Sequence, residues 1–303
     1  MGWPPSGIQY PLASGDQEAT VVEVGGGLRT YTVAGEPVLD GYEADEMASG
    51  GRGQLLLPWP NRIRDGRYTF EGTDLQLALT EPSRHNASHG LVRWANWRAV
   101  AQEPDRVVME LALHPQPGYP FSLDLSVEYR LGPGGLSVAT TATNRGGRPC
   151  PYGAGAHPYM NVGTDLVDDA LLVVPAETWL DTDDRGIPTR SVPVDRSPYD
   201  FRQGNQIGDL VLDTAFTDIV GTEAVVASPD GRRRVTVWWD ESYRWLMVFT
   251  GDTLDPARRR RGLAIEPMTC APNAFVTGDG LKVLEPEESW TTTWGIAATS
   301  PTR

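Results

Sequence analysis

The chain has 303 residues and carries 26 basic against 40 acidic side chains, a formal net charge of −14. That excess argues against nucleic acid or an anionic membrane surface as partner, since either needs a basic patch, and suits a small neutral molecule better. No basic N-terminal region runs into an apolar stretch and no run of roughly 18 apolar residues occurs, so the expectation is a soluble cytoplasmic protein, one domain over residues 1–303.

Strands are predicted along the whole chain and convincing helices nowhere. Residues 20–24 and 28–33 flank a triple glycine, 67–70 and 75–79 flank Glu71 and Gly72, and 224–227 and 234–239 flank Pro229 to Gly231. Alternating β-branched and aromatic residues around glycine-bearing turns are hairpin signatures. Residues 107–113, 121–131, 136–144, 245–250 and 290–296 read as further strands. With 33 glycines and 25 prolines punctuating short runs, the fold class expected is all-β, a large antiparallel β-sandwich.

Two stretches stand outside this pattern. Residues 181–209 are polar and contain Pro188, Pro193 and Pro198, and a structureless segment of that length is usually functional or disordered. The basic run Arg258 to Arg261 follows Asp255 and Pro256 between two strand-like runs and is expected to be a solvated turn. Cys150 and Cys270 lie close to the two motifs described next, which suggests that they are neighbours in space. The cytoplasmic reading favours buried thiols over a disulfide.

His157, among small residues and a proline–aromatic pair in the segment from Tyr152 to Tyr159, reads as an imidazole presented to a ligand. Glu266 closes the apolar run Ala264–Ile265 ahead of Pro267 and presents a carboxylate in the same way. One acid, one base and no obvious nucleophile suggest proton-transfer chemistry. His85 stands four residues before His89, a spacing that would make a metal pair on a helix, but Pro82, Asn86, Ser88 and Gly90 argue against a helix there. His114, before Pro115, receives no role. Among ten tryptophans, Trp238, Trp239 and Trp245 sit in strand-like runs and are assigned to the core. Trp59, between two prolines, is the better pocket aromatic, with Phe216 and Tyr159 comparable.

Five short segments in order, Asn61-Arg62-Ile63, His89-Gly90-Leu91, Gly155 to Tyr159, Leu212 to Asp218, and Ile265 to Met268 with Asn273, make the chain resemble the aldose 1-epimerase (galactose mutarotase) family. The resemblance reaches from about residue 50 to the C-terminus. It implies the galactose mutarotase-like supersandwich and interconversion of the α and β anomers of a free hexose, with no metal and no organic cofactor. It assigns Glu266 as general base at the C1 hydroxyl and His157 as general acid at the ring oxygen. Arg62, His89 and Asp213 would hold sugar hydroxyls, with Asn61 and Trp59 beside them. The stretch 181–209 resembles the family's insertion before the strand bearing Asp213, an ordered loop near the site mouth.

The residue types agree with these roles. An ionised carboxylate accepts a proton, an imidazolium donates one, and arginine with aspartate can pair with vicinal hydroxyls. Two other classes stay open. A non-catalytic sugar-binding protein on the same scaffold would keep Arg62, His89 and Asp213 and could lose the proton-transfer pair. A different β-sandwich enzyme could use Asp213 and Glu266 as glycosidase carboxylates, or His89, His157 and Glu266 as a metal-binding facial triad. The aldose itself is left open. A phosphorylated hexose would call for extra basic residues, for which Arg64, Arg67 and Arg93 are candidates, whereas the acidic total favours an uncharged sugar.

Overall fold

Strict alternation of buried and partly exposed side chains along Leu123–Gly132 and Gly135–Asn144 marks a sheet with one face on the core. The computed structural model describes residues 2–299, and these form antiparallel strands with very little helix. The two long strands belong to a nine-stranded sheet in the order Arg98–Glu103, Arg106–Leu113, Leu123–Gly132, Gly135–Asn144, Ser289–Thr299, Arg234–Trp239, Glu223–Ala227, Leu171–Val173, Asn205–Gln206. A second sheet runs Pro188–Pro193, Ala176–Thr182, Asp213–Ile219, Trp245–Phe249, Leu263–Met268, Gly155–Ala156, Leu55–Leu56. Val127, Tyr129 and Val138 of the first and Phe216, Leu246, Val248 and Ile265 of the second enter one apolar core. That is the all-β sandwich expected.

The second sheet positions the chemistry. Leu263–Met268 is buried at every position and pairs on one side with Trp245–Phe249, placing Met247 opposite Glu266. On its other side it pairs with Gly155 and, through Tyr159–Met160, again opposite Ala264. His157 occupies the gap between those two short pairings, where the chain leaves the ladder. An acidic side chain on a buried strand thus meets a basic one from the break in its neighbour, where desolvation dominates their chemistry.

The polar stretch 181–209 departs in part from expectation. Much of it is a hairpin in which Pro188–Pro193 pairs with Ala176–Thr182, and its prolines are tolerated because that strand is the sheet's edge. The turn at 183–187 reaches the site: Arg185 donates to the Arg84 carbonyl at 2.9 Å, and a Cβ on Gly186 would lie 2.7 Å from the Arg62 guanidinium. Tyr199 lies at the other end, its ring 4.3 Å from that of Trp179.

The basic run is a turn, as expected, but only half solvated: Arg259 and Arg261 are exposed, whereas the other two arginines are tied down. Arg260 is buried and pairs with Asp168 at 2.7 Å and Asp252 at 2.9 Å, while Arg258 meets Glu46 at 2.7 Å. Two of these acids lie far away in sequence, so the local pattern could not reveal the pairing. Cys150 and Cys270 are both free and buried. Among the described residues no helix is long and apolar enough to cross a membrane.

Candidate functional site

A cleft of about 480 Å³ opens over the second sheet, and His157, Glu266, Arg62, His89, Asp213 and Asn61 all line it. A larger hollow of about 840 Å³ lies elsewhere; its charged side chains are exposed apart from the half-buried Asp240, which has no buried basic partner in its lining, so it lacks the desolvated acid–base pair of the smaller cleft.

Nε2 of His157 lies 3.2 Å from Oε1 of Glu266, and both side chains are almost fully withdrawn from solvent. Their outer atoms, Nδ1 of His157 and Oε2 of Glu266, have no hydrogen-bond partner. Burial, reinforced by the charges of Arg93 and Arg52, pushes the His157 imidazole down to about 3. Burial, then the negative charge of Asp213, pushes the Glu266 carboxyl well above the usual carboxylate range. Each group resists its own charged form, so burial favours the state in which the pair holds one proton, on the carboxyl. A buried polar atom without a partner is costly, and a ligand hydroxyl would satisfy Oε2.

The facing wall is differently built. Arg62, on the short strand Arg62–Arg64, is bound by both oxygens of Glu81, at 2.9 and 3.2 Å, and reaches Oδ2 of Asp213 at 3.2 Å. Arg84 donates to the same Asp213 oxygen at 2.9 Å. Burial alone would raise the Asp213 carboxyl, but Arg62 and Arg84 outweigh it and hold the group below its usual value. Two cations and two anions therefore form a compensated network that can offer hydroxyls both donors and acceptors.

His89 and Asn61 are tied to each other. The His89 amide donates to the Asn61 carbonyl at 2.8 Å, and the Asn61 amide donates to Nδ1 of His89 at 3.2 Å. With Nδ1 accepting, the ring proton sits on Nε2. Burial, then Arg93, holds this imidazole well below its ordinary value, so it is a neutral donor. Among the described residues no three His, Cys, Asp or Glu side chains stand in a metal-binding arrangement.

Trp59 is not a pocket residue. It is buried in the core, its ring 5.5 Å from Phe275 and 6.4 Å from Tyr119. Phe216 is core as well. Tyr159 stacks behind His157 with ring centroids 5.0 Å apart and planes at 14°. The aromatics at the cleft are Phe249 and Trp94, the latter 50% exposed and five residues beyond His89. Sequence reasoning also missed Glu81, Arg84 and Gln54. Of the three extra arginines considered, Arg64 pairs with Asp183 and Arg67 with Gln76, whereas Arg93 lines the cleft and reaches only Gln54 and Ser88 oxygens at 3.5 and 3.4 Å. His85 pairs with Asp65 at 2.8 Å on the surface.

A family model described as aldose 1-epimerase matches residues 9–297. The chain is 36% identical over 282 residues to YihR, an uncharacterized protein of Escherichia coli (strain K12), covering 92% of this chain and 90% of that one. It is 27% identical to the aldose 1-epimerase of the same strain over 204 residues, 63% of this chain and 58% of that enzyme. A solved GalM/aldose epimerase homologue from C. elegans superposes with a TM-score of 0.87 at 19% identity, covering 97% of this chain and 99% of that one, and so shares its fold.

Proposed function

Because the chain belongs to the aldose 1-epimerase family, we infer that it interconverts the α and β anomers of a free aldose by opening and reclosing the sugar ring. The observation that carries this reading is the desolvated His157–Glu266 pair, 3.2 Å apart, with Oε2 of the carboxyl unsatisfied. Anomer exchange needs one proton removed from the C1 hydroxyl as another arrives on the ring oxygen. A pair holding a single proton has the matching stoichiometry.

Burial favours that proton on Glu266. Sugar hydroxyls donating to Oε2 stabilise the carboxylate and move the proton to Nε2 of His157, since hydrogen bonds to a charged form favour it. Glu266 then takes the C1 proton and His157 delivers its own to the ring oxygen. Rotation about C1–C2 presents the other carbonyl face, and the two transfers run backwards. Each group returns to its starting state. Arg62 and Asp213 hold vicinal hydroxyls, and Nε2 of His89 donates to a third.

A glycosidase is the second reading, favoured by the split between Asp213, held below its usual value, and Glu266, pushed well above its own. Against it, Oδ2 of Asp213 is held by two guanidinium groups, Arg62 and Arg84, whose charge makes the carboxylate a poorer nucleophile. Aryl and methyl glycosides separate the two, because a mutarotase needs a free C1 hydroxyl. We expect pure anomers from a panel of hexoses and hexose 6-phosphates to equilibrate faster with enzyme for at least one member, and glycosides to stay intact. Release of nitrophenol from an aryl hexoside, lost in both Glu266→Gln and Asp213→Asn, would make the protein a glycosidase.

A further inference from the structure

His157 lacks the usual device for orienting a proton-transferring imidazole, a hydrogen bond to the far ring nitrogen. Its ring is held by faces instead. Tyr159 stacks on it at 5.0 Å, and Gly51 presses so close that a Cβ there would lie 2.5 Å from Cδ2. Gly51 has φ near +77°, a conformation that glycine adopts without strain. Beneath this stack lies Arg52, only 2% exposed, its guanidinium 4.2 Å from the centre of the Tyr159 ring. The Tyr159 hydroxyl donates to the Gly50 carbonyl at 2.6 Å. Arg52 in turn pairs with Asp40 through Nη2 at 2.6 Å and donates from Nε to the Asp40 carbonyl at 2.8 Å.

We propose that Arg52 is a positioning residue for the proton transfer: anchored by Asp40, it holds Tyr159 by cation–π contact and so fixes the plane of the His157 imidazole. A buried arginine fixed by two hydrogen bonds to one partner is rigid, and its planar group can lie flat on an aromatic face where a lysine ammonium cannot. Its charge also acts on His157, together with the other ionisable groups around that ring, Glu266, Asp213, Arg93, His89 and Tyr159. Arg52 itself does not line the cleft, but it donates from Nη1 to the Ser49 carbonyl at 3.2 Å beside the lining residues Gly50 and Gly51, so the His157 titration is the readout that separates an effect on the imidazole from one on that loop.

The role rests on the anomer-exchange reading, and the test separates the two. Histidine ¹⁵N NMR titration of His157 needs no activity, and it is run beside anomer exchange on wild type, Arg52→Lys, Arg52→Gln and Asp40→Asn. We expect Arg52→Gln to raise the His157 midpoint by about one pH unit, and Arg52→Lys to leave it nearly unmoved. Both should lower kcat roughly tenfold or more with KM within about twofold, as for a misplaced acid. Asp40→Asn, which disturbs Arg52 from its far side, should lower kcat in the same sense and covers the case in which the Arg52 variants do not fold. Folded variants with an unmoved His157 midpoint and a wild-type kcat, or a change in KM alone, overturn the proposal. A wild type inert on every aldose but with the expected titration shifts would sink the proposed reaction and leave the positioning role standing.

Discussion

The two walls of the cleft solve the problem of buried charge in opposite ways. On one, Arg62, Arg84, Glu81 and Asp213 neutralise each other through four short contacts. On the other, His157 and Glu266 are buried more deeply, share a single contact and leave two polar atoms unsatisfied. The first wall is a finished structure that can bind. The second is unfinished until a ligand completes it, which is how a site holds reactive groups at a cost in stability.

The largest effect should come from breaking the unfinished wall. His157→Asn keeps much of the shape but removes the titratable donor, so kcat should fall by roughly 10²–10⁴ while sugar affinity changes little. A near-wild-type rate in steady-state polarimetry would move the acid role to His89. Trp59, assigned to the core, belongs to neither wall: Trp59→Ala should cost about 3–5 kcal/mol of stability. Denaturant unfolding measures that cost, and a KM raised at full stability would return Trp59 to the pocket.

Breaking the compensated wall should act on binding. Asp213→Asn removes one charged acceptor, so KM should rise roughly tenfold, the scale of one hydrogen bond to a charged group. A fall in kcat at constant KM would instead give Asp213 a chemical role.

The smallest effect sharpens the comparison through pH. The folded His157 titrates near 3 against an ordinary 6.5, so the unfolded chain binds that proton more readily and stability falls as pH drops from about 6.5 toward 3. For Glu266 the folded value is raised above 4.5, so its contribution is complete below 4.5 and is lost as pH rises through the folded value. Glu266→Gln should therefore lose less stability than wild type toward alkaline pH in thermal melts. Parallel curves would mean that the carboxyl is not buried as described.

What the sequence disclosed follows the same division. His157 and Glu266 stand out because each is a lone ionisable residue in a small or apolar run, and such runs become buried strands. Alternation in 123–144 made the long strands legible for the same local reason. The compensated wall was only half visible. Arg62 and Asp213 fall in recognisable segments, but Glu81 and Arg84 matter only through partners that reach across the fold, Arg84 to Asp213 over 129 residues. Arg260 was misplaced for that reason too. Trp59 shows the converse error, since flanking prolines fix a backbone direction without saying which side faces the core.

The central claim is that a desolvated carboxyl and imidazole exchange one proton pair with a free sugar. Polarimetry of freshly dissolved α-glucose, α-galactose and the rest of the hexose panel with wild type and Glu266→Gln tests it most directly, with tryptophan fluorescence reporting sugar binding. We expect accelerated equilibration of at least one aldose by wild type, and a rate near the uncatalysed one for a Glu266→Gln variant that still binds it. A Glu266→Gln protein that equilibrates the sugar as fast as wild type would contradict it.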